Sequence, residues 1–304
     1  MSPSARPVPA EAASDAYAVA RQGNSPQTVV LSIAGSDPSG GAGIQADLKT
    51  FAALGAYGTC VITALTAQST TGVTGVHAVP AAFVAEQLET LLADVRIDAV
   101  KIGMLANAEV VDAVTRVIRE HPALVGVPTV LDPVMVSSAG SRLLADDAVS
   151  ALLELIPHVD VITPNAPEAA VLLGTDGAVD VADLRTQARA LHGLGARRVL
   201  LKGGHLDGGE SVDVWSEGPG ADAVDLSAPR VATTNTHGTG CTLSSAIAAL
   251  RPHHDDWLSA VRAAKDYVTG ALEHADELSI GQGPGPLNHA WPQTHVSLRL
   301  SDHD

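Results

Sequence analysis

Short apolar segments rich in β-branched residues alternate along this chain with segments of helical periodicity. Helices are expected at 44–55, 80–93, 107–119, 146–156, 166–173, 181–193, 240–250 and 255–275, and strands at 28–34, 59–68, 98–104, 128–134, 160–164 and 197–204, with a hairpin at 211–217 and 222–228. This order predicts βαβ units with right-handed crossovers. The fold class is therefore α/β, with a central, mostly parallel sheet that has helices on both faces.

A single domain is expected to span residues 28–290, since no repeat or linker interrupts the pattern. The chain has 304 residues, of which 46% are hydrophobic, enough for one large core. Residues 1–27 are rich in Ala, Ser and Pro and lack the apolar centre of a signal peptide, which predicts a disordered tail. The segment 282–304 is rich in Gly, Pro and His and predicts a partly ordered end, with 291–304 as the C-terminal tail.

The composition excludes several classes of function. A formal net charge of −16 disfavours nucleic-acid binding. A local group of backbone N–H donors can still bind a small phosphorylated ligand against that charge. Two distant cysteines, Cys60 and Cys241, do not form a secreted disulfide framework, and no apolar run is long enough to span a bilayer. We therefore expect a cytoplasmic protein with a small-molecule ligand.

The first glycine-rich turn, 35-GSDPSGGAG-43, follows the first expected strand. Gly41 stands where a phosphate-binding P-loop requires lysine, so that motif is absent. Residues 41–46, GAGIQA, have the spacing of a dinucleotide-binding turn, but 63–70 lacks the carboxylate that would bind the ribose. Two interpretations stay open on spacing alone: a tight turn that allows close packing, or a ligand-binding turn.

The second glycine-rich turn lies in 237-HGTGCTLSSA-246. Gly238, Thr239, Gly240 and Cys241 would form the first turn of a helix, where unpaired N–H groups and the helix dipole attract an anion. The alternative is an ordinary helix start with Thr239 as the N-cap. Cys241 is either a small buried hydrophobe or, with its pKa lowered by the helix N-terminus, an acid–base group.

Polar residues follow three of the predicted strands. Asp132 ends one strand, Asn165 and Glu168 follow another, and Lys202 ends a third. Taken singly, each has a structural explanation as a turn former, a first-turn acid or a solvated charge. Because ligands bind beyond the carboxyl ends of parallel strands, the four would converge with the second turn on one edge of the sheet. Carboxylates for Mg²⁺, a lysine for a polyphosphate and an anion site are the components of phosphoryl transfer.

The chain resembles the hydroxymethylpyrimidine/phosphomethylpyrimidine kinases of the ribokinase-like superfamily. The motifs that carry the resemblance are 34-AGSDPSGGAGIQADLKTFAALGAYG-58, 62-ITALTAQ-68, 97-IDAVKIGML-105, 161-VITPNAPEA-169, 201-LKGGH-205 and 235-NTHGTGCTLSSAIAAL-250. The resemblance implies a three-layer α/β/α sandwich, a homodimer, and the use of ATP with Mg²⁺. It also implies phosphorylation of 4-amino-5-hydroxymethyl-2-methylpyrimidine and then of its monophosphate, to the diphosphate, in thiamine biosynthesis.

The resemblance assigns Asp47 and Gln68 to positions that hold the pyrimidine. A carboxamide such as that of Gln68 offers a donor and an acceptor to an aminopyrimidine edge. Gly35 would let the ring approach the backbone.

The remaining roles concern phosphate and metal. The resemblance places Asn165, Glu168 and Lys202 at the nucleotide and its phosphates, Asp132 with Glu168 at Mg²⁺, and Gly238, Thr239, Gly240 and Cys241 at the transferring group. In the wider superfamily the last position of that turn is commonly an aspartate that activates the hydroxyl. Here Cys241 would accept or position the hydroxyl proton. Pro133 leaves the orientation of Asp132 open.

Three other functions compete with this one. A pyridoxal or pyridoxine kinase of the same fold is the nearest, although Gln68 and its TAQ context favour the aminopyrimidine. A non-catalytic protein that binds a pyrimidine on the same fold is the second. A nicotinamide oxidoreductase is disfavoured by the missing ribose-binding carboxylate.

Overall fold

The computed structural model describes residues 27–136, 143–145, 148–206 and 208–293. An eight-stranded sheet consists of β1 (Val29–Ala34), β2 (Tyr57–Ile62), β5 (Ala99–Ile102), β6 (Thr129–Leu131), β7 (Val161–Ile162), β8 (Val199–Leu201), β9 (Glu210–Ser216) and β10 (Val224–Pro229). The strand order is β10-β9-β8-β7-β6-β5-β1-β2. The sheet is parallel from β8 to β2, and β9 runs antiparallel to both of its neighbours, β8 and β10. A separate two-stranded sheet consists of β3 (Ala64–Ser69) and β4 (Gly72–Ala78).

Helices cover both faces of the large sheet and complete the predicted three-layer sandwich. They are α1 (Gly43–Ala53), α2 (Ala81–Leu92), α3 (Ala108–Glu120), α4 (Ala148–Leu155), α5 (Ala166–Leu173), α6 (Val181–Leu191), α7 (Thr239–Leu250) and α8 (Trp257–Glu273). Among the described residues, no helix is both long and apolar enough to cross a bilayer.

The core consists of two layers because successive strand residues point to opposite faces. Leu31 and Ile33 of β1 join the cluster beneath α2 to α6, whereas Val30 joins the cluster beneath α1, α7 and α8. Strands buried on both faces explain why the sequence shows continuous apolar runs rather than alternation. The same arrangement brings the carboxyl ends of the parallel strands to one edge.

Two expectations about local structure are wrong. The predicted strand at 59–68 is two strands, since β2 ends at Ile62 and β3 leaves the large sheet. A further strand, β4, lies at 72–78, where the pattern predicted none, and its pairing with β3 stabilises a segment that contains two glycines. Pairing between strands, rather than local propensity, decides this hairpin.

The segment from 282 onward is more ordered than predicted over its described part. Leu287, Asn288 and His289 are buried, and the hydroxyl of Tyr267 on α8 donates to the carbonyl of His289 at 2.9 Å. The expected tails lie outside the described residues, apart from Gln27 at one end and 291–293 at the other.

Candidate functional site

The polar residues predicted at the strand ends do lie at neighbouring strand ends. Asp132 follows β6, Asn165 follows β7 and Lys202 follows β8, and these strands are adjacent in the sheet. Asn165 and Lys202 form a parallel β-bridge, in which the Lys202 N–H donates to the carbonyl of Pro164 at 2.9 Å. Sheet topology therefore brings together residues that are far apart in sequence.

Lys202 and Asp132 form a buried ion pair. Nζ of Lys202 donates to Oδ1 of Asp132 at 2.7 Å, with the two side chains only 14% and 2% exposed. The same carboxylate oxygen accepts from the Thr163 hydroxyl at 3.1 Å. Burial works to lower the pKa of Lys202, but the negative charges of Asp132 and Glu168 raise it above its usual value. The explanation of Lys202 as a solvated charge is therefore wrong, and Asp132 is oriented by the lysine despite Pro133.

Asn165 and Glu168 form a capping box at the start of α5. The side-chain oxygen Oδ1 of Asn165 accepts from the backbone N–H of Glu168 at 2.8 Å. In return, the Glu168 carboxylate accepts from the backbone N–H of Asn165 at 2.8 Å. Burial raises the pKa of Glu168 to about 7; the Lys202 charge opposes this shift and the Asp132 charge adds to it. The two residues thus have a structural role, and a carboxyl group that titrates near neutrality stands beside the ion pair.

The second glycine-rich turn begins α7 as predicted. Gly238 is the N-cap in the left-handed region, with φ 84°, and a Cβ there would lie 1.8 Å from the carbonyl oxygen of Gly41. Only glycine fits this position. Thr239 is the first helical residue and its hydroxyl donates to the Thr236 carbonyl, so the expectation of Thr239 as N-cap is wrong. A Cβ on Gly240 would lie 3.1 Å from Nζ of Lys202, which places the turn against the ion pair.

Cys241 does not have the lowered pKa that a helix N-terminus predicts. Burial raises the pKa of its thiol to about 11, the positive charge of Lys101 opposes this, and the carboxylates of Asp47 and Asp132 reinforce it. The Gly43 N–H, which interacts with the sulfur, is too weak an influence to reverse the shift. The thiol is consequently protonated at neutral pH.

Asp47 lies inside the sandwich. Its carboxylate accepts from Lys101 at 2.8 and 2.9 Å, from Ser32 at 2.5 Å and from Ser245 at 2.7 Å. Since both oxygens are engaged and the side chain is fully buried, this arrangement favours a structural role, and the predicted contact with the pyrimidine stays a prediction. Lys101, to which the sequence analysis assigned no role, links α1 and α7 to β5 through this carboxylate.

Gly35 follows β1 at this edge, and Gln68 lies on β3 of the small sheet. A Cβ at Gly35 would be 3.0 Å from Sδ of Met104, so a larger residue there would require this flexible side chain to shift. The Gln68 side chain is half-buried and lies 3.4 Å from His237, the residue before the second turn. Gln68, a substrate position implied by the resemblance, therefore borders the anion turn.

Sequence reasoning missed the contact that joins the two glycine-rich turns. Nε2 of His237 lies 2.8 Å from Oδ2 of Asp37, and both side chains are buried. Asp37 also accepts from the N–H groups of Ser39, Gly41 and Ala42 at 2.9 to 3.2 Å. The Asp-Pro-Ser-Gly sequence signals such a turn. Nothing local could have indicated the histidine 200 residues away.

Asp132 and Glu168 form a donor set that would fit a magnesium ion whose shell is completed by phosphate oxygens and water. No three metal-binding side chains converge among the described residues, so a complete protein cage is not present there. Mg²⁺ typically takes one or two carboxylates and completes its shell with phosphate oxygens and water. Asp132 and Glu168 supply that number of carboxylates beside a lysine and an anion turn.

Comparison with known proteins gives a consistent result. The sequence model of a family described as phosphomethylpyrimidine kinase matches residues 37–288. The hydroxymethylpyrimidine/phosphomethylpyrimidine kinase of Salmonella typhimurium is 51% identical over 264 residues, which cover 86% of this chain and 97% of the relative.

Two solved structures extend the comparison. The phosphomethylpyrimidine kinase of Clostridium difficile is 39% identical with a TM-score of 0.68, covering 81% of this chain and 100% of the other. The pyridoxal kinase of Staphylococcus aureus, in complex with AMP-PCP and pyridoxal, is 32% identical with a TM-score of 0.78, covering 88% and 96%.

Proposed function

The chain belongs to the phosphomethylpyrimidine kinase family, and on that basis we propose that it acts in thiamine biosynthesis by phosphorylating 4-amino-5-hydroxymethyl-2-methylpyrimidine and then its monophosphate with ATP. In the first step the hydroxymethyl oxygen forms a bond to the γ-phosphorus of ATP. The bond between that phosphorus and the oxygen that bridges it to the β-phosphate breaks. ADP leaves, and one proton is released to solvent. In the second step the nucleophile is an oxygen of the phosphate already attached.

The observation that carries this proposal is the meeting of the Lys202–Asp132 pair with the anion turn. A Cβ on Gly240 would touch both members of the pair, at 3.1 Å from Nζ and 3.3 Å from Oδ2. The Thr239 N–H donates to the Thr236 carbonyl, so a phosphoryl group would be seated on the N–H groups of Gly240 and Cys241, beside the lysine. Positioned donors of this kind stabilise charge that develops on the transferring group.

Asp132 and Glu168 would hold Mg²⁺, which when bound neutralises the polyphosphate charge. Lys202 would bind a phosphate oxygen and already has its ammonium group fixed by Asp132. Asn165 would act indirectly, because its backbone N–H donates to the Glu168 carboxylate in the capping box and so holds that group in place.

Cys241 would position the substrate hydroxyl. With a pKa of about 11 the thiol can hydrogen-bond to that oxygen but supplies almost no thiolate at neutral pH. The second step begins from an anion and needs no base, so it depends less on Cys241. Gly35 and Gln68 would hold the pyrimidine ring.

A coupled assay of ADP release with three acceptors tests the function: the pyrimidine alcohol, its monophosphate, and pyridoxal. We expect turnover of the first two and a higher kcat/KM for the pyrimidine alcohol than for pyridoxal. Lys202→Met should raise the KM for ATP and lower kcat, whereas Arg185→Met, a surface change, should alter neither. Absence of ADP release with all three acceptors contradicts the proposal and favours a non-catalytic binding protein.

Pyridoxal kinase activity is the second candidate, because the Staphylococcus aureus pyridoxal kinase has the higher TM-score of the two solved structures. A higher kcat/KM for pyridoxal in the same assay would establish it. The homodimer and the cytoplasmic location stay predictions; sedimentation of the purified protein tests the former.

A further inference from the structure

We propose that His237, oriented by Asp37, is a positioning residue that fixes the carboxamide of Gln68 for the pyrimidine, an inference that rests on the proposed function. His237 links three parts of the site. It precedes the anion turn, contacts Asp37 of the first turn, and lies next to Gln68 on the small sheet.

The contact with Asp37 determines which imidazole nitrogen carries the proton. A carboxylate only accepts, so Nε2 of His237, 2.8 Å from Oδ2, must be protonated and directed at Asp37. Burial works to raise the pKa of Asp37, but hydrogen bonds from His237 and Ser39 lower it below its usual value, so the group is ionised at neutral pH. Backbone donors of the first turn hold the carboxylate itself in place.

The imidazole is also fixed by packing. A Cβ added to Gly41 would lie 2.3 Å from Cδ2 of His237, so the ring rests directly on the glycine backbone of the first turn. The N–H of His237 donates to the carbonyl of Gly285 at 3.0 Å, which holds its backbone from the other side. Nε2 therefore has little freedom of position.

The donors around Gln68 then determine how its carboxamide is turned. With the amide nitrogen on the His237 side, two N–H donors face each other across 3.4 Å. On the other side lies Oγ1 of Thr66, 3.2 Å from the other amide atom, and its proton is directed at the Ser36 carbonyl at 2.8 Å. A half-turn of the carboxamide suits both neighbours. Its oxygen then lies 3.4 Å from Nε2 and accepts the longer arm of an N–H whose shorter arm goes to Asp37, and its nitrogen donates to Thr66.

A fixed carboxamide distinguishes between ligands. Its remaining N–H and lone pair stand in a set order, which matches the ring nitrogen and neighbouring amino group of a 4-aminopyrimidine. A carboxamide free to turn over would accept the reversed order equally well. Pyridoxal has no amino group beside its ring nitrogen. His237 would therefore determine the preference for the aminopyrimidine without contacting it.

The test compares His237→Gln, which keeps an N–H donor near the position of Nε2, with His237→Met, which keeps volume without the donor. Steady-state kinetics with the pyrimidine alcohol, pyridoxal and ATP are measured for each. For His237→Met we expect an approximately tenfold higher KM for the pyrimidine alcohol, the effect of one lost hydrogen bond, with kcat and the KM for ATP nearly unchanged. His237→Gln should restore most of the affinity.

Combining these changes with Gln68→Ala shows whether His237 acts through Gln68. Once the carboxamide is gone, His237→Met should have little further effect on the ratio of kcat/KM between the pyrimidine alcohol and pyridoxal. The full additional loss in that background would overturn the inference. So would an unchanged KM for the pyrimidine alcohol in His237→Met. Should that variant not fold, Asp37→Asn, which keeps the shape of every group, has the same expected result.

Two measurements separate this inference from the proposed function. Failure of the unaltered protein to turn over the pyrimidine alcohol would refute the function and the inference with it. Turnover by that protein together with an unaffected His237→Met refutes the inference alone. Independently of turnover, the ¹⁵N spectrum of labelled histidine side chains must show His237 protonated at Nε2, and a ring protonated only at Nδ1 would contradict the geometry.

Discussion

Lys101 and Asp47 form an ion pair in the interior, with Nζ 2.8 Å from Oδ2 and both side chains 0% exposed. Lys101 lies on β5 and Asp47 on α1, and the Ser245 hydroxyl of α7 donates to the same carboxylate. Burial works to lower the pKa of Lys101, but the Asp47 charge raises it above its usual value, so the lysine is charged at all ordinary pH values. The pair therefore links α7, the helix that begins at the second glycine-rich turn, to β5 and α1.

Lys101→Met should be strongly destabilising. Removing one partner of a buried ion pair leaves the other charge uncompensated, which costs about 3–5 kcal/mol. Urea denaturation followed by circular dichroism measures the loss. Arg185→Met is the control, since the Arg185–Asp225 pair is at the surface and its loss should cost less than about 1 kcal/mol. The double variant Lys101→Met/Asp47→Asn should lose less than the sum of the single changes; strict additivity would mean that the pair is not coupled.

The sequence was sufficient for features that depend on local pattern. The strands of the large sheet and the helices over them were predicted because apolar runs and helical spacing are local properties. The convergence of Asp132, Asn165 and Lys202 was predicted because parallel strands end at one edge. The roles of these residues in phosphoryl transfer stay predictions.

Features that depend on contacts between distant residues were not predictable in this way. His237 and Asp37 are 200 positions apart, and Lys101 and Asp47 are 54 apart, so no spacing indicates either pair. β4 forms only because β3 lies beside it. The pKa of Cys241 followed burial and nearby carboxylates rather than the helix N-terminus, and neither influence appears in the local sequence.

Gly238→Ala should abolish most activity and destabilise the protein. A left-handed φ costs an alanine about 1–2 kcal/mol, and here its Cβ would also lie 1.8 Å from the Gly41 carbonyl oxygen. Displacement of the turn should lower kcat by about a hundredfold, the effect of losing one positioned donor. Gly220→Ala is a matched control, with φ +81° and nothing within 4 Å of the added Cβ. Equal effects of the two substitutions on kcat would contradict a role for close backbone approach.

Glu168 should make stability fall as pH rises toward neutrality. Burial raises its pKa from 4.5 unfolded to about 7 folded, so the folded state binds the extra proton between these values. The contribution is fully present below pH 4.5 and is lost as pH rises through about 7. Glu168→Gln removes this titration but keeps an oxygen that can accept from Asn165. Without nucleotide, the variant should therefore gain on the order of 3 kcal/mol relative to the unaltered protein between pH 5 and pH 8. A difference in unfolding free energy that does not vary with pH would contradict the raised pKa.

Cys241→Ser should retain most of both phosphorylation steps. A thiol with a pKa of about 11 is protonated at pH 7, and a serine hydroxyl can position the same substrate oxygen. For the same reason kcat of the unaltered protein with the pyrimidine alcohol should vary little between pH 7 and pH 9, whereas a thiolate base would give a rise of about tenfold per pH unit. The monophosphate serves as the internal control, because its nucleophile is already an anion. A loss of about a hundredfold or more in Cys241→Ser, confined to the alcohol, is what general-base catalysis contributes and would restore the thiolate to the mechanism.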